Sequence, residues 1–144
     1  MSPGQVDSGS VRRHLLTLDS VLKSLSSFSG KSVKLLTEDT KELWAVERGL
    51  QLCTQCVLDI ATHIVASAGR DVADYTSALD EIGKIGVIPS DLAMRLRPLA
   101  GFRNALVYGY LDIDIERLHD VLNHHLDEVR EFAQHINWYL AQLA

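Results

Sequence analysis

The segment at residues 101–110, Gly-Phe-Arg-Asn-Ala-Leu-Val-Tyr-Gly-Tyr, contains the side chains best suited to chemistry. Arg103 is a permanent cation in an otherwise apolar stretch, and Asn104 follows it directly. A buried guanidinium without a carboxylate or phosphate partner costs several kcal/mol. We therefore expect Arg103 to have an anionic partner. The residues alone favour neither a structural carboxylate nor a bound phosphate.

Two tyrosines close this segment. Arg103 and Tyr110 are seven residues apart, so a continuous helix would place them on one stripe about two turns long. Tyr108 lies about 140° around the same ideal helix from Arg103. We expect Tyr108 and Arg103 to converge only if the helix unwinds near Gly109 or if a second subunit completes the site.

Cys53 and Cys56 have the spacing of a redox or zinc motif. No second cysteine pair is present in the sequence to complete a structural zinc site. Cys53 also falls on the apolar stripe of a long helical pattern, where a cysteine behaves as a small hydrophobic residue. We therefore expect two packed thiols and no metal or redox site.

Asp59 and His63 are four residues apart, and this spacing predicts a hydrogen bond or ion pair on one helix face. Asp59 is also a candidate positioning residue, because an anion there can orient an arginine from a neighbouring helix. His124 and His125 are adjacent, so their side chains point about 100° apart and do not chelate one ion together. No metal site is expected at the histidines.

Apolar residues recur at helical spacing along almost the whole chain, and no stretch alternates with the strand period. The sequence predicts an all-α fold, an antiparallel up-and-down bundle of four to five helices. Pro98 should kink or split the fourth helix, and Gly109 should end it. The predicted helices cover approximately residues 11–25, 40–64, 75–82, 91–106 and 114–144, with a connector at 31–36.

The chain has 144 residues, a mass of 16.0 kDa and a composition that is 47% hydrophobic and 23% charged. We expect a flexible arm at residues 1–10 and a single domain at 11–144. The net charge of -5 excludes broad attraction to nucleic acid or to an anionic membrane. A local basic patch remains open, formed by the first helix and by Arg95, Arg97 and Arg103 of the fourth. From Arg12 to Lys34 five basic residues stand against one acidic residue, although simple solvation of an exposed face is the preferred interpretation of that run. The absence of a long uninterrupted apolar run predicts a cytoplasmic protein with no membrane partner.

Three segments together resemble one known family. One segment resembles the signature of HEPN-domain toxins of the HepT type: Arg103-Asn104 is followed by a short apolar run, an aromatic residue, Gly109 and Tyr110. In that signature Arg-Asn precedes a small apolar run, a histidine, one further residue and a tyrosine. Residues 47–51 with 58–64 resemble the long second helix of the family, and 111–114 with 124–126 resemble its final helix.

The resemblance implies a homodimeric all-α ribonuclease that cleaves RNA, such as tRNA or mRNA, without a metal or cofactor. The 2′-hydroxyl of a ribose attacks the adjacent phosphate, with a histidine as general acid and base and an arginine holding the developing charge. Carried over by the motif, Arg103 and Asn104 are catalytic residues. Tyr108 stands in place of the family histidine.

The resemblance also implies a partner, an antitoxin that is a nucleotidyltransferase of the MNT type. Such an antitoxin transfers AMP from ATP to the tyrosine of the motif, which is Tyr110 here. An adenylate at this position would fill the groove for RNA and make it negative.

Tyr108 departs from the family pattern. A phenol with a pKa near 10 is a poor base at neutral pH, whereas an imidazole near 6.5 suits the task. We expect this chain to cleave RNA feebly or not at all, with Tyr108 retaining a role in base stacking as one alternative. Two other functions stay open: a non-enzymatic helical dimerisation module with Arg103 in a structural ion pair, and a nucleotide-binding regulatory subunit of a nucleotidyltransferase.

Overall fold

The computed structural model describes residues 5–143, and these residues form eight α-helices and no strands. The all-α prediction is confirmed. Side chains of Asp7, Ser32, Asp39, Asp74 and Asp114 accept hydrogen bonds from backbone N–H groups in the first turns of five helices. The helices are α1 Ser8–Ser26, α2 Val33–Glu38, α3 Thr40–Ser67, α4 Tyr75–Lys84, α5 Ser90–Leu96, α6 Pro98–Tyr108, α7 Ile115–His124 and α8 Leu126–Leu143.

The long helix α3 lies at the centre of the bundle. It packs against α1, α2, α4, α6, α7 and α8. Its apolar stripe is buried over nearly its whole length, from Leu43 to Val65. Gly49 permits the close approach of α1, because a Cβ at this position would lie 2.6 Å from a methyl carbon of Leu25. This packing makes α3 the element from which the other helices take their positions.

Eight helices replace the expected four to five because three local features divide the predicted elements. Residues 33–38, which overlap the connector expected at 31–36, form a short helix that Ser32 caps. Pro98 splits the fourth helix, since it begins α6 at a position where its missing N–H is not needed. His125 separates α7 from α8, although the apolar spacing continues across it.

The first helix begins earlier than expected. Residues 8–10 belong to α1 rather than to the flexible arm predicted for residues 1–10. The Asp7 side chain caps this helix by accepting from the N–H of Ser10, and the Asp7 N–H donates to Nε2 of His63. Residues 1–4 of the predicted arm lie outside the described residues.

By length and composition, α3 could also cross a bilayer, with a mean hydropathy of 1.2 over an 18-residue window. In this fold 56% of that window is buried inside the molecule. The same signal is typical of the core helix of a water-soluble protein, so it is weak evidence for a membrane span.

Candidate functional site

Arg103 lies half-buried on α6, facing α3 and the start of α4. Its Nε–H donates to Oε1 of Gln55 at 3.1 Å, and an NH1 hydrogen is donated to Oδ1 of Asn104 at 3.2 Å. The guanidinium carbon lies 5.2 Å from the centroid of the Tyr75 ring, a cation–π contact. Arg103 is therefore held by a neutral amide on α3, a neutral amide on its own helix and an aromatic face.

Gln55 connects Arg103 to Asp59 on α3. The Nε2 group of Gln55 donates to Oδ1 of Asp59 at 2.7 Å and to the hydroxyl of Tyr75 at 3.2 Å. Gln55 thus has both ends of its amide occupied, which fixes the oxygen towards Arg103. The structure brings Asp59 to Arg103 through Gln55 and not by direct contact.

Of the two anionic partners considered for Arg103, the structural carboxylate is not formed. Among residues 5–143, no carboxylate oxygen lies within 4.0 Å of the Arg103 guanidinium. Partial exposure and the three neutral contacts lower the cost of this arrangement. The positive charge is consequently not neutralised within the described part of the chain.

The two other arginines that the fourth helix was expected to contribute to a basic patch are paired with carboxylates. Arg95 pairs with Asp91 and with Glu131 of α8 at 3.0 Å, and Arg97 pairs with Asp80 of α4 at 3.2 Å. These carboxylates come from outside the segment between Arg95 and Arg103, which is why charge counting along the sequence missed them.

Tyr108 and Tyr110 lie at the end of α6, where both side chains face solvent. Tyr108 is 76% exposed, Tyr110 is 68% exposed, and Leu111 after them is 87% exposed. Helix α6 ends at Tyr108, so the single helical stripe expected to join Arg103 to Tyr110 is wrong. Within residues 5–143 neither tyrosine is hydrogen-bonded to the Arg103 cluster.

Gly109 determines this turn. Its N–H donates to the carbonyl of Ala105 at 2.9 Å, and a Cβ at this position would lie 2.6 Å from the same carbonyl oxygen. A backbone atom does not move aside as a side chain does, so only glycine fits without displacing the end of α6. Gly109 ends the helix as predicted, and this ending directs Tyr108 and Tyr110 outward.

The predicted bond between Asp59 and His63 is not formed. His63 accepts from the Asp7 N–H at 3.0 Å, while Asp59 accepts from Gln55 and lies 3.9 Å from His14 on α1. The two side chains share a helix face, but each bonds to another group: Asp59 to Gln55 one turn earlier on α3, and His63 to the backbone before α1.

Cys53 and Cys56 are buried free thiols. Burial raises the pKa of Cys53 to about 12, and burial together with the neighbouring Asp59 raises the pKa of Cys56. Thiols with raised pKa values are poor nucleophiles and poor metal ligands at neutral pH. Between residues 5 and 143 no group of three or more His, Cys, Asp or Glu side chains has a geometry for holding a metal ion.

A family model described as ribonuclease HepT-like matches residues 18–136, which include α3, the Arg103 cluster and the two tyrosines. The chain belongs to the HepT-like ribonuclease family. The sequence resemblance to this family is confirmed.

Two curated relatives are similar to this HepT-like chain. One is a tRNA nuclease HepT from Aphanizomenon flos-aquae, 31% identical over 124 residues, which are 85% of this chain and 84% of the relative. The other is an mRNA nuclease HepT from Shewanella oneidensis, 26% identical over 84 residues, which are 58% of this chain and 63% of the relative.

Solved structures share the HepT-like fold. A cytosolic protein of unknown function, YutE from Bacillus subtilis, superposes with a TM-score of 0.82 at 23% identity, over 95% of this chain and 92% of that chain. A tri-AMPylated HEPN toxin from Shewanella oneidensis, in complex with an MNT antitoxin, superposes with a TM-score of 0.78 at 21% identity, over 89% and 96%.

Two residues of the site were missed by the sequence analysis. Gln55 lies between the two cysteines and four residues before Asp59, a spacing that allows a side-chain hydrogen bond and that could have indicated it. Tyr75 gives no such signal, because its contact with Arg103 depends on how α4 and α6 pack against α3.

We expect the substitution Gln55→Leu to release Arg103, since it removes the oxygen that accepts from Nε–H. A hydrogen bond of this kind contributes roughly 0.5–1.5 kcal/mol, so solvent exchange of the Arg103 Nε–H should accelerate roughly two- to tenfold in NMR spectra. Gln51→Leu, one turn earlier on α3, serves as the matched control and should leave this signal unchanged. An equal rate in wild type and Gln55→Leu would show that Gln55 does not hold Arg103.

Proposed function

We propose that this chain is the toxin of a toxin–antitoxin pair of the HEPN and MNT type, with the fold and phosphate-binding residue of a metal-independent endoribonuclease. Arg103 carries this proposal. It is a half-buried cation that lies next to neutral groups and has no carboxylate within 4.0 Å among residues 5–143. Such a site suits an external anion, and a phosphodiester is the anion that the curated relatives, named as RNA nucleases, act on.

In the proposed reaction the 2′-oxygen of a ribose attacks the adjacent phosphorus and the bond to the 5′-oxygen breaks. A base takes the proton of the 2′-hydroxyl, an acid gives a proton to the leaving 5′-oxygen, and the products end in a 2′,3′-cyclic phosphate and a 5′-hydroxyl. Arg103 stabilises the charge on the non-bridging oxygens, and the Asn104 amide donates beside it. Gln55 and Asp59 position Arg103 and take no part in the bond changes.

Tyr108 limits this reaction, because the position of the family histidine holds a phenol. A general acid or base at this position contributes typically 100- to 10,000-fold. The chain is therefore proposed to bind RNA at Arg103 and to cleave it weakly. The alternative function, a non-enzymatic dimerisation module, requires Arg103 to form a structural ion pair. No carboxylate for such a pair lies within 4.0 Å of Arg103 in the described residues, and this favours RNA binding.

We expect Tyr108→His to increase RNA cleavage by roughly 100-fold or more, because the imidazole titrates near neutral pH. The measurement is the yield of 2′,3′-cyclic phosphate ends from tRNA and from mRNA. Tyr139→His on α8 is the matched control and should leave cleavage at the wild-type level. Adding Arg103→Ala to Tyr108→His should abolish the gain, whereas equal inertness of wild type and Tyr108→His would refute the catalytic proposal.

Tyr110 is proposed as the acceptor of AMP from an MNT-type nucleotidyltransferase. Its hydroxyl attacks the α-phosphorus of ATP, the phenolic proton leaves to solvent, and pyrophosphate departs. Two observations support this choice: the side chain is 68% exposed just beyond α6, and the similar fold from Shewanella oneidensis is an AMPylated toxin in complex with its antitoxin.

Incubation with ATP and the MNT-type nucleotidyltransferase that this proposal requires as antitoxin should add the mass of one or more AMP groups. We expect Tyr110→Phe to remove this gain and Tyr108→Phe, at a neighbouring position with a similarly exposed side chain, to retain it. Intact-mass spectrometry measures the added mass in both variants. Retention of the full gain in Tyr110→Phe would place the modification elsewhere, and the absence of any gain in wild type would refute the antitoxin proposal.

The active unit is proposed to be a homodimer joined near the end of α6. Leu111 is an 87% exposed apolar side chain, and a second copy of the chain that packs on it would leave the Tyr110 hydroxyl accessible to the nucleotidyltransferase. This arrangement would bring two Arg103 sites into one cleft, as the family resemblance implies.

Sedimentation should give a mass close to twice 16.0 kDa for wild type. Leu111→Lys should give a monomer, because burying an ammonium at the contact is unfavourable. Trp138→Lys, an exposed apolar residue of α8, should leave the dimer intact. A wild-type monomer, or a dimer that only Trp138→Lys dissociates, would contradict the proposed contact.

A further inference from the structure

An open pocket of about 520 Å³ lies beside the Arg103 cluster, and neither the described network nor the proposed mechanism uses it. Its walls come from the end of α3, the loop before α4, the start of α4, and α6. The volume falls within the range of roughly 300–1,000 Å³ that is typical of small-molecule sites. The lining includes Thr62, Asp74, Tyr75, Gly101 and Asn104, together with apolar side chains.

Three polar side chains of this pocket have unused hydrogen-bonding capacity. The Thr62 hydroxyl oxygen is buried without a hydrogen-bond partner in the described part of the chain. Asp74 uses Oδ1 to accept from the Ser77 N–H at 2.7 Å, and Oδ2 accepts from no group among residues 5–143. Asn104 uses Oδ1 to accept from Arg103, which leaves two amide hydrogens, one for the phosphate of the proposed reaction and one for the pocket. A ligand that both donates and accepts would satisfy these groups.

The pocket shares two of its walls with the Arg103 site. Tyr75 lines the pocket and carries the Arg103 guanidinium over its ring, and Asn104 lines the pocket and accepts from Arg103. A polynucleotide that places a phosphate at Arg103 therefore has neighbouring nucleotides within reach of two residues that line the pocket. Single-stranded RNA offers its bases to such pockets because they are not held in a stack.

We propose that this pocket binds a nucleobase that flanks the phosphate at Arg103, and that it prefers a base with an exocyclic amino group. This inference rests on the proposed function of the Arg103 site in RNA binding. The Asp74 carboxylate only accepts hydrogen bonds, so it suits the amino group of cytosine, adenine or guanine. Uracil presents a carbonyl oxygen where cytosine presents its amino group, and that oxygen would meet the carboxylate unfavourably.

Fluorescence anisotropy with short 2′-O-methyl oligonucleotides of adenine, cytosine or uracil tests this preference, since the blocked 2′-oxygen prevents cleavage. Wild type should bind the adenine and cytosine strands roughly tenfold more tightly than the uracil strand, as expected for one base-specific contact. Ala73→Trp fills the pocket from an exposed loop position and should abolish the preference. Ala141→Trp, at an exposed position near the end of α8, is the matched control and should retain it.

Asp74→Asn tests the acceptor without filling the pocket. Asparagine still caps α4 through its oxygen, but its amide nitrogen donates where the carboxylate accepted. The preference for adenine and cytosine over uracil should therefore disappear or reverse in this variant. Circular dichroism should show the same helix content in wild type, Ala73→Trp, Ala141→Trp and Asp74→Asn.

Equal affinity of wild type for the three strands, or an unchanged preference in Ala73→Trp and Asp74→Asn, would overturn the pocket inference. If in that case Arg103→Ala still weakens the binding of every strand, the proposed RNA site at Arg103 stands and only the pocket inference fails. If wild type binds no strand, the proposed function itself fails together with the inference. If free AMP binds as tightly as the adenine strand, and does so equally in Arg103→Ala, the pocket inference and the proposed RNA site would both be overturned. The protein would then be a nucleotide-binding regulatory subunit.

Discussion

The contact between Arg103 and the amide oxygen of Gln55 is the interaction on which the site depends. It joins α6 to the central helix α3, and the ring of Tyr75 at the start of α4 supports the same guanidinium. Both supports are neutral, so they fix the direction of the cation without cancelling its charge. A carboxylate at position 55 would hold Arg103 more strongly and would compete with any phosphate for it.

This constraint explains several features of the surrounding structure. Asp59 contacts Gln55 and not Arg103, so it does not neutralise the guanidinium directly. Arg95 and Arg97 are paired with acidic residues of other helices, which confines the uncompensated positive charge to Arg103 within this segment. The net charge of -5 is thus compatible with a local anion site, although it opposes a broad one.

Helical spacing predicts the fold well where a single stripe of side chains faces the core. It indicated α1 and α3 closely, and Pro98 and Gly109 marked real boundaries because each acts through the local backbone. The break at His125 escaped prediction, since the apolar spacing of α7 continues into α8 without a phase change.

The site was predicted less completely than the fold. Arg103 and Asn104 stand out by residue type, and the motif indicates the tyrosines. Gln55 and Tyr75 are 48 and 28 residues before Arg103 in the sequence, so no local pattern relates them to it. The bond expected between Asp59 and His63 was wrong because each side chain has another partner: the Asp7 N–H before α1 donates to His63, and Gln55 of α3 itself donates to Asp59.

The salt dependence of RNA binding tests most directly whether Arg103 contacts a phosphate. A plot of the logarithm of the binding constant against the logarithm of salt concentration for a 2′-O-methyl strand should be less steep in Arg103→Gln, by about 0.7 for each Arg103 that contacts the strand. Arg97→Gln, which removes a guanidinium already paired with Asp80, should keep the wild-type slope. An unchanged slope in Arg103→Gln would contradict the central claim that this cation is held available for a phosphate.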